Sequence, residues 1–208
     1  MLITGLSYAV SGSEVDVYID NGCTPRLLLD SVAEFKLFQD KSISEEEYEL
    51  IIKSDIELRL FRKALNYISI RPRTESELSV YFLKQRSLRE NSNRDDIIET
   101  LLNKLKNQKY INDGKFCEWL IENRINCSLK SRAEIKNELQ QKGVASEVIA
   151  NQLSKFYTEE DEQEVFGKIF EKKFGMEITT DKKDKLKIYN YFQRRGFNYQ
   201  IIKSKINI

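Results

Sequence analysis

The chain has 208 residues, 40% of them hydrophobic and 32% charged, and 34 basic against 33 acidic side chains leave a formal net charge of +1. It contains no histidine, which removes the commonest general base, the Ser-His and Cys-His nucleophile pairs and the imidazole metal ligands. Its three cysteines, Cys23, Cys117 and Cys127, form no Cys-x-x-Cys pair, so neither a zinc site nor a redox motif is indicated.

The near-neutral total hides an asymmetry. Residues 1–58 carry 4 basic and 12 acidic side chains, a balance of −8; residues 59–166 carry 19 and 17; residues 167–208 carry 11 and 4, a balance of +7. An acidic end and a basic end suit different partners. Met1-Leu2-Ile3-Thr4-Gly5 lacks a basic region and a long apolar core, so no secretory signal is expected. No apolar run approaches a membrane span. Scattered cysteines fit a reducing compartment, with Cys117 and Cys127 as apolar packing residues. The expectation is a cytoplasmic monomer.

In chain order, residues 1–20 read as β. Leu6 to Val10 precedes Ser11-Gly12-Ser13, and Val15 to Ile19 alternates with period two, which is a hairpin signal. Asn21-Gly22 marks a second turn and a short third strand. Leu27 to about Phe38 is expected to be helical. Ser44 with Glu47 forms a capping box for a short helix through Ile52, which continues or kinks into the next.

From Asp55 onward the pattern is helical throughout. Phe61, Ala64, Leu65 and Ile68 share one helix face, and Pro72 stops that helix. Thr74, with Glu77 three residues on, caps a second helix bearing Leu78, Tyr81 and Phe82. A polar insert from Arg86 to Asn93 leads to a third, with Ile97, Ile98, Leu101, Leu102 and Leu105 inward. A second set follows from Asp113: Phe116, Trp119, Leu120 and Ile125, then Ile135 and Leu139 ending at Gly143, a good residue to follow a helix C-cap, then Val148, Ile149 and Leu153. A third set carries Val165, Phe166, Ile169 and Phe170, then Ile188, Tyr189 and Phe192 before Gly196, then Ile201, Ile202 and Ile206.

These sets repeat. Thr74-Glu75-Ser76-Glu77-Leu78, Ser131-Arg132-Ala133-Glu134-Ile135 and Asp184-Lys185-Leu186-Lys187-Ile188 each open on an N-cap type of residue and place an aliphatic residue four positions later. A large apolar residue stands four further on, at Phe82, Leu139 and Phe192. Ser131 lies 57 residues after Thr74, and Asp184 lies 53 after Ser131. Self-similarity at such a period marks one stacked supersecondary unit. The expected divisions are 1–54, an N-terminal β-hairpin with short helices, then three-helix repeats over 55–112, 113–157 and 158–208.

Catalytic chemistry finds no footing. Glu45-Glu46-Glu47 and Glu159-Glu160-Asp161-Glu162 sit where helices start, complementing the helix dipole. None of the phosphate-loop or nucleophile-elbow motifs occurs among eight glycines. No catalytic residue, cofactor or metal ligand is assigned, and the chain reads as a non-enzyme. Basic residues recur at one corner of each repeat: Arg71 and Arg73, then Lys130 and Arg132, then Lys182, Lys183 and Lys185, joined by Arg194 and Arg195. Such a row could track phosphates or an acidic protein surface, or be solvated charge and internal ion pairs. The nearby Tyr110, Tyr189, Tyr191 and Phe197 read as core before stacking platforms.

Arg71-Pro72-Arg73-Thr74-Glu75-Ser76-Glu77-Leu78, Tyr110-Ile111-Asn112-Asp113-Gly114-Lys115-Phe116 and Arg194-Arg195-Gly196-Phe197 together resemble signature segments of the RecX family, bacterial regulators of the recombinase RecA. They stand in the family's order and cover residues 55–208. The resemblance implies a mainly α fold: an elongated, curved array of three three-helix repeats behind a small N-terminal β extension. It implies binding to RecA and its filament on single-stranded DNA, lower ATPase and strand-exchange activity, and blocked filament growth or promoted disassembly. The partner-binding residues that follow are Arg71, Arg73, Lys130, Arg132, Lys182, Lys185, Arg194 and Arg195. Two other readings stand beside it: a protein that binds DNA directly, and a helical scaffold for protein contacts.

Overall fold

A computed structural model describes residues 1–10, 12–89, 91–175 and 181–206. The chain divides into two compact units, residues 1–70 with 81–107 and residues 71–80 with 108–208.

The first unit opens with an antiparallel sheet of β1 (Ile3–Tyr8), β2 (Glu14–Ile19) and β3 (Arg26–Leu28), in that spatial order. Tyr8 pairs with Val15 and Ile3 with Ile19, so period two turns Val15, Val17 and Ile19 into a core with Ile3, Leu27, Val32 and Ile43. Leu27 and Leu28, expected in a helix, pair instead with Val15 and Glu14. Only Leu29–Glu34 is helical there, as α1. Cross-strand pairing supplied by the hairpin outweighs a weak local helix preference.

Ser44 and Glu47 form the expected capping box, each backbone N–H donating to the other's side chain at 2.9 and 3.0 Å. The helix they start, α2, runs unbroken over Glu45–Ile70, since neither proline nor glycine interrupts it. On α2, Asp55 is buried and accepts from the Leu28 backbone at 2.7 Å, from the Ser31 hydroxyl at 2.8 Å and from Arg59. Arg59 also pairs with Glu14, so one ionic cluster ties sheet to helix. Helix α3 (Glu75–Leu83) spans the division between the units, and α4 (Arg94–Asn107) completes the first. The polar insert before α4 hides one apolar anchor: a 3-10 turn over Arg86–Leu88 buries Leu88 completely.

The second unit holds α5 (Asp113–Asn123), α6 (Arg132–Gln141) and α7 (Ser146–Phe156), then α8 (Glu159–Phe174), α9 (Lys182–Arg194) and α10 (Tyr199–Ile206). Each trio has its own core. Phe116, Cys117, Leu120, Ile135, Leu139, Ile149, Leu153 and Tyr157 fill one; Val165, Phe166, Phe170, Ile188, Phe192, Phe197 and Ile202 fill the other. Phe192 lies against Phe166 with ring centroids 3.9 Å apart.

Two local expectations are corrected. The N-cap of α9 is Asp181, whose carboxylate accepts from the Lys183 N–H, so Asp184 lies inside the first turn and pairs with Lys187. Either aspartate could cap; the earlier one adds a turn without disturbing the register of Ile188 and Phe192. Cys127 is exposed, because α5 ends in a π-helical turn over Arg124–Ser128 that carries it outward, whereas Cys117 is core. Burial pushes the Cys117 thiol up to about 11, which makes it inert.

Candidate partner-binding face and the repeated joint

Two of the basic residues expected at one corner, Arg71 and Arg195, are consumed by a joint that appears twice. In its first copy, the Thr74 hydroxyl accepts from the Glu77 N–H at 3.0 Å and donates to the Lys142 carbonyl at 2.8 Å. One side chain thereby caps α3 and satisfies an orphan carbonyl at the end of α6. The Glu77 carboxylate takes both arms of Arg71, at 2.9 and 3.0 Å, and the Lys142 ammonium at 2.7 Å. Burial pushes this carboxyl up, but the two cations outweigh it and hold it at about 2. Gly143 follows with φ at 78°, and a Cβ there would stand 2.5 Å from that of Ser76. Glycine is required twice over, by backbone sign and by space.

The second copy lies 57 residues on. Ser131 caps α6 with a full capping box to Glu134 and donates its hydroxyl to the Arg195 carbonyl. Glu134 takes Arg195 in a two-armed pair at 2.8 and 3.0 Å. Burial raises the Glu134 carboxyl, and Arg195 with the Ser131 backbone more than reverses it. Gly196, φ also 78°, leaves 2.4 Å between a would-be Cβ and that of Ala133. Lys142 and Arg195 thus play one role, each the C-cap of its helix and the cation that closes on the preceding repeat's N3 glutamate.

Other corner residues are also engaged. Arg71 sits over the Trp119 and Phe116 rings at 5.4 and 5.9 Å. Lys130 and Arg124 both bind Glu138, at 2.7 and 2.6 Å. The bond from Arg124, joined by that from Lys130, holds the Glu138 carboxyl at about 2 against its burial. Arg132 donates to the Tyr157 carbonyl at 3.0 Å, and the Tyr157 hydroxyl donates to that of Lys130 at 3.2 Å. Lys182 and Arg194 are exposed, while Arg73 and Lys185 are half-buried. The eight residues therefore do not form one patch. Lys182 and Arg194 stand at opposite ends of α9, about 18 Å apart along its axis. Arg195 lands instead on the corner of the preceding repeat, beside Lys130 and Arg132. Among the aromatic residues near these charges, Phe197 is core but Tyr110 is half-exposed.

None of the ion pairs across the joint joins neighbours in sequence: Glu77 and Lys142 are 65 residues apart, Glu134 and Arg195 61. The available signal was a cation directly before a glycine, Lys142-Gly143 and Arg195-Gly196, at repeat spacing from the capping motifs.

Two family models match in order: the second three-helix domain of RecX over residues 112–153 and the third over residues 159–206. The regulatory protein RecX of Lactococcus lactis subsp. cremoris strain MG1363 is 31% identical over 175 residues, 83% of this chain and 63% of that protein. The chain belongs to the RecX family. A crystal structure of RecX from Lactobacillus salivarius aligns with 74% of this chain and 96% of its own, at 27% identity and a TM-score of 0.61. A second, titled regulatory protein RecX, covers 99% of this chain and 98% of its own with a TM-score of 0.71; at 22% identity it shows the shared fold. This RecX-family chain spans 63% of the Lactococcus relative and 59% of that from Listeria welshimeri. Among the described residues no helix is long and apolar enough to cross a membrane, and no acidic or cysteine cluster could hold a metal ion.

Proposed function

We propose that the chain is a non-enzymatic regulator that binds the RecA recombinase on single-stranded DNA and lowers its ATPase and strand-exchange activity. The observation that carries this reading is the twice-built joint in a RecX-family chain: a serial arrangement of three-helix modules presents similar faces to a partner that itself repeats. Several modest contacts along one partner then add as an avidity. Of the basic residues, Lys182 and Arg194 are exposed on α9, and Arg73 and Lys185 are partly so. These four are assigned to partner contact. Arg71 and Arg195 join one module to the next, while Lys130 and Arg132 are held within the second by Glu138 and the Tyr157 carbonyl.

The test adds purified protein, from substoichiometric to equimolar, to RecA turning over ATP on single-stranded DNA. ATPase and strand exchange should both fall, and K182E/R194E should weaken the effect while helical content stays unchanged. No change in either activity with the unmodified protein would refute the proposal.

A further inference from the structure

A cleft of about 370 Å³ opens in the second unit, lined by Ser128, Leu129, Ile169, Lys172, Lys173, Tyr191 and Arg195. Three cations face one small space. Arg195 is neutralised by Glu134. Among the described residues Lys172 and Lys173 have no carboxylate within ion-pair distance, so within that set the cleft carries two positive charges without a paired acid.

The charges are placed as well as present. The Lys173 ammonium rests 3.6 Å from the centroid of the Tyr191 ring, and the Arg195 guanidinium lies 5.9 Å from the same centroid. The two cations are therefore at most about 9.5 Å apart, within a Debye length at moderate salt. Cation–π attraction to one ring holds them there, and a bound anion would relieve the repulsion between Lys172 and Lys173. The π-helical turn ends at Leu129 in the left-handed region, φ 47°, with the Leu129 carbonyl accepting from Arg195 at 2.9 Å. Ser128, the last residue of that turn, lines the cleft. Turns of this type are concentrated at functional positions.

We infer that this cleft, formed by Lys172, Lys173, Tyr191, Arg195 and Ser128, is a phosphate-binding site. The arrangement selects against two other occupants. A carboxylate pairs best with a guanidinium fork, but the Nε side of Arg195 already holds Glu134. What remains is two ammonium groups and the Ser128 side chain, beside an Arg195 whose other N–H groups go to the Leu129 carbonyl and, at 3.4 Å, the Tyr191 hydroxyl and which adds positive field; separate donors of this kind suit a tetrahedral oxyanion. A nucleobase would need an open aromatic face, and Lys173 lies against that of Tyr191. The phosphate can belong to a nucleic-acid backbone or to a small phosphorylated molecule, and recognition of a backbone here would be independent of base sequence. The site stands apart from the recombinase reading and is tested without RecA.

The full chain is titrated, by fluorescence anisotropy at low salt, with a labelled oligothymidylate, and separately by calorimetry with inorganic pyrophosphate. Three proteins are compared: unmodified, K172A/K173A, and K136A/K155A, which removes two exposed lysines elsewhere. Circular dichroism checks that all three are folded. The expected result is binding of at least one probe by the unmodified chain, at least tenfold weaker for K172A/K173A and within twofold for K136A/K155A. If the oligonucleotide is that probe, its log-log salt slope should fall by about 1.4 on loss of two phosphate contacts. Oligonucleotide binding alone identifies a backbone phosphate, and pyrophosphate competition identifies a free one; both support the site. Absence of binding to both probes overturns it, as does an equal loss in the two double variants, which would reduce the effect to net charge.

Discussion

Replacing Gly196 with alanine tests the joint more sharply than removing any of its charges. Two separate costs arise. Alanine at φ 78° enters the left-handed region, at about 1–2 kcal/mol. Its Cβ would also stand 2.4 Å from the Cβ of Ala133, a contact side chains cannot sustain, so α6 and α9 must separate; overpacking of this kind costs about 1–3 kcal/mol. The sum is about 2–5 kcal/mol. Gly22 supplies the control: its φ is 83°, but nothing lies within 4 Å of the added carbon, so Gly22→Ala should show the backbone cost alone, about 1–2 kcal/mol. Urea unfolding followed by circular dichroism gives both numbers, and hydrogen exchange locates the loss, which should fall on the ends of α6 and α9. Adding Ala133→Gly to Gly196→Ala should recover part of the packing cost despite the helix penalty of about 1 kcal/mol for glycine, giving a favourable coupling in the double-mutant cycle. If Gly196→Ala costs no more than Gly22→Ala, or if Ala133→Gly rescues nothing, the close approach does not contribute and the joint rests on its ion pairs.

The first copy of the joint, through Glu77, and the neighbouring Glu138 cluster should also be acid-labile. Glu77 and Glu138, both largely buried, are held at about 2 against an ordinary 4.5. The unfolded chain therefore takes up protons first as pH falls, so their stabilisation is complete above about pH 4.5 and disappears between there and pH 2. Each shift corresponds to about 3 kcal/mol. Urea midpoints from pH 6 to pH 2.5 should fall steeply, and Glu77→Gln with Glu138→Gln should flatten the profile; an unchanged slope would contradict this. In the core, Phe192→Ala removes a completely buried ring that lies against Phe166 and meets Phe197 edge-on. It should cost about 3–5 kcal/mol, read as a lower unfolding midpoint and faster exchange in α8 to α10; a loss below 1 kcal/mol would mean that the site collapses around the gap.

The candidate face was legible only in part. Arg71, Lys130, Arg132 and Arg195 stand out as recurrent cations, yet whether a cation meets solvent or a glutamate depends on what the fold places opposite it. Glu77 and Lys142 are 65 residues apart, and Glu134 and Arg195 are 61 apart. No local rule links them. The cleft was illegible for the same reason, since its lining comes from the π-helical turn and two other helices. A π-helical turn has no sequence signature comparable to a proline or a cap, and it carries both the exposed Cys127 and the cleft-lining Ser128.

By itself the amino-acid sequence determined what is decided within about one helical turn or one repeat: the hairpin, the capping residues, the apolar registers that became two separate cores, the glycines that end α6 and α9, and the RecX resemblance carried by ordered short segments. Those features follow from backbone sterics and from periodicity, which act between near neighbours. Only the tertiary structure decided the rest. Leu27 and Leu28 became a strand because β2 offered them hydrogen bonds, Asp181 displaced Asp184 as a cap, and two cations of the repeated corner, Arg71 and Arg195, became internal fastenings of a joint. Each outcome is a competition between a weak local preference and a partner tens of residues away, and the partner prevails because burial strengthens its hydrogen bonds and charges.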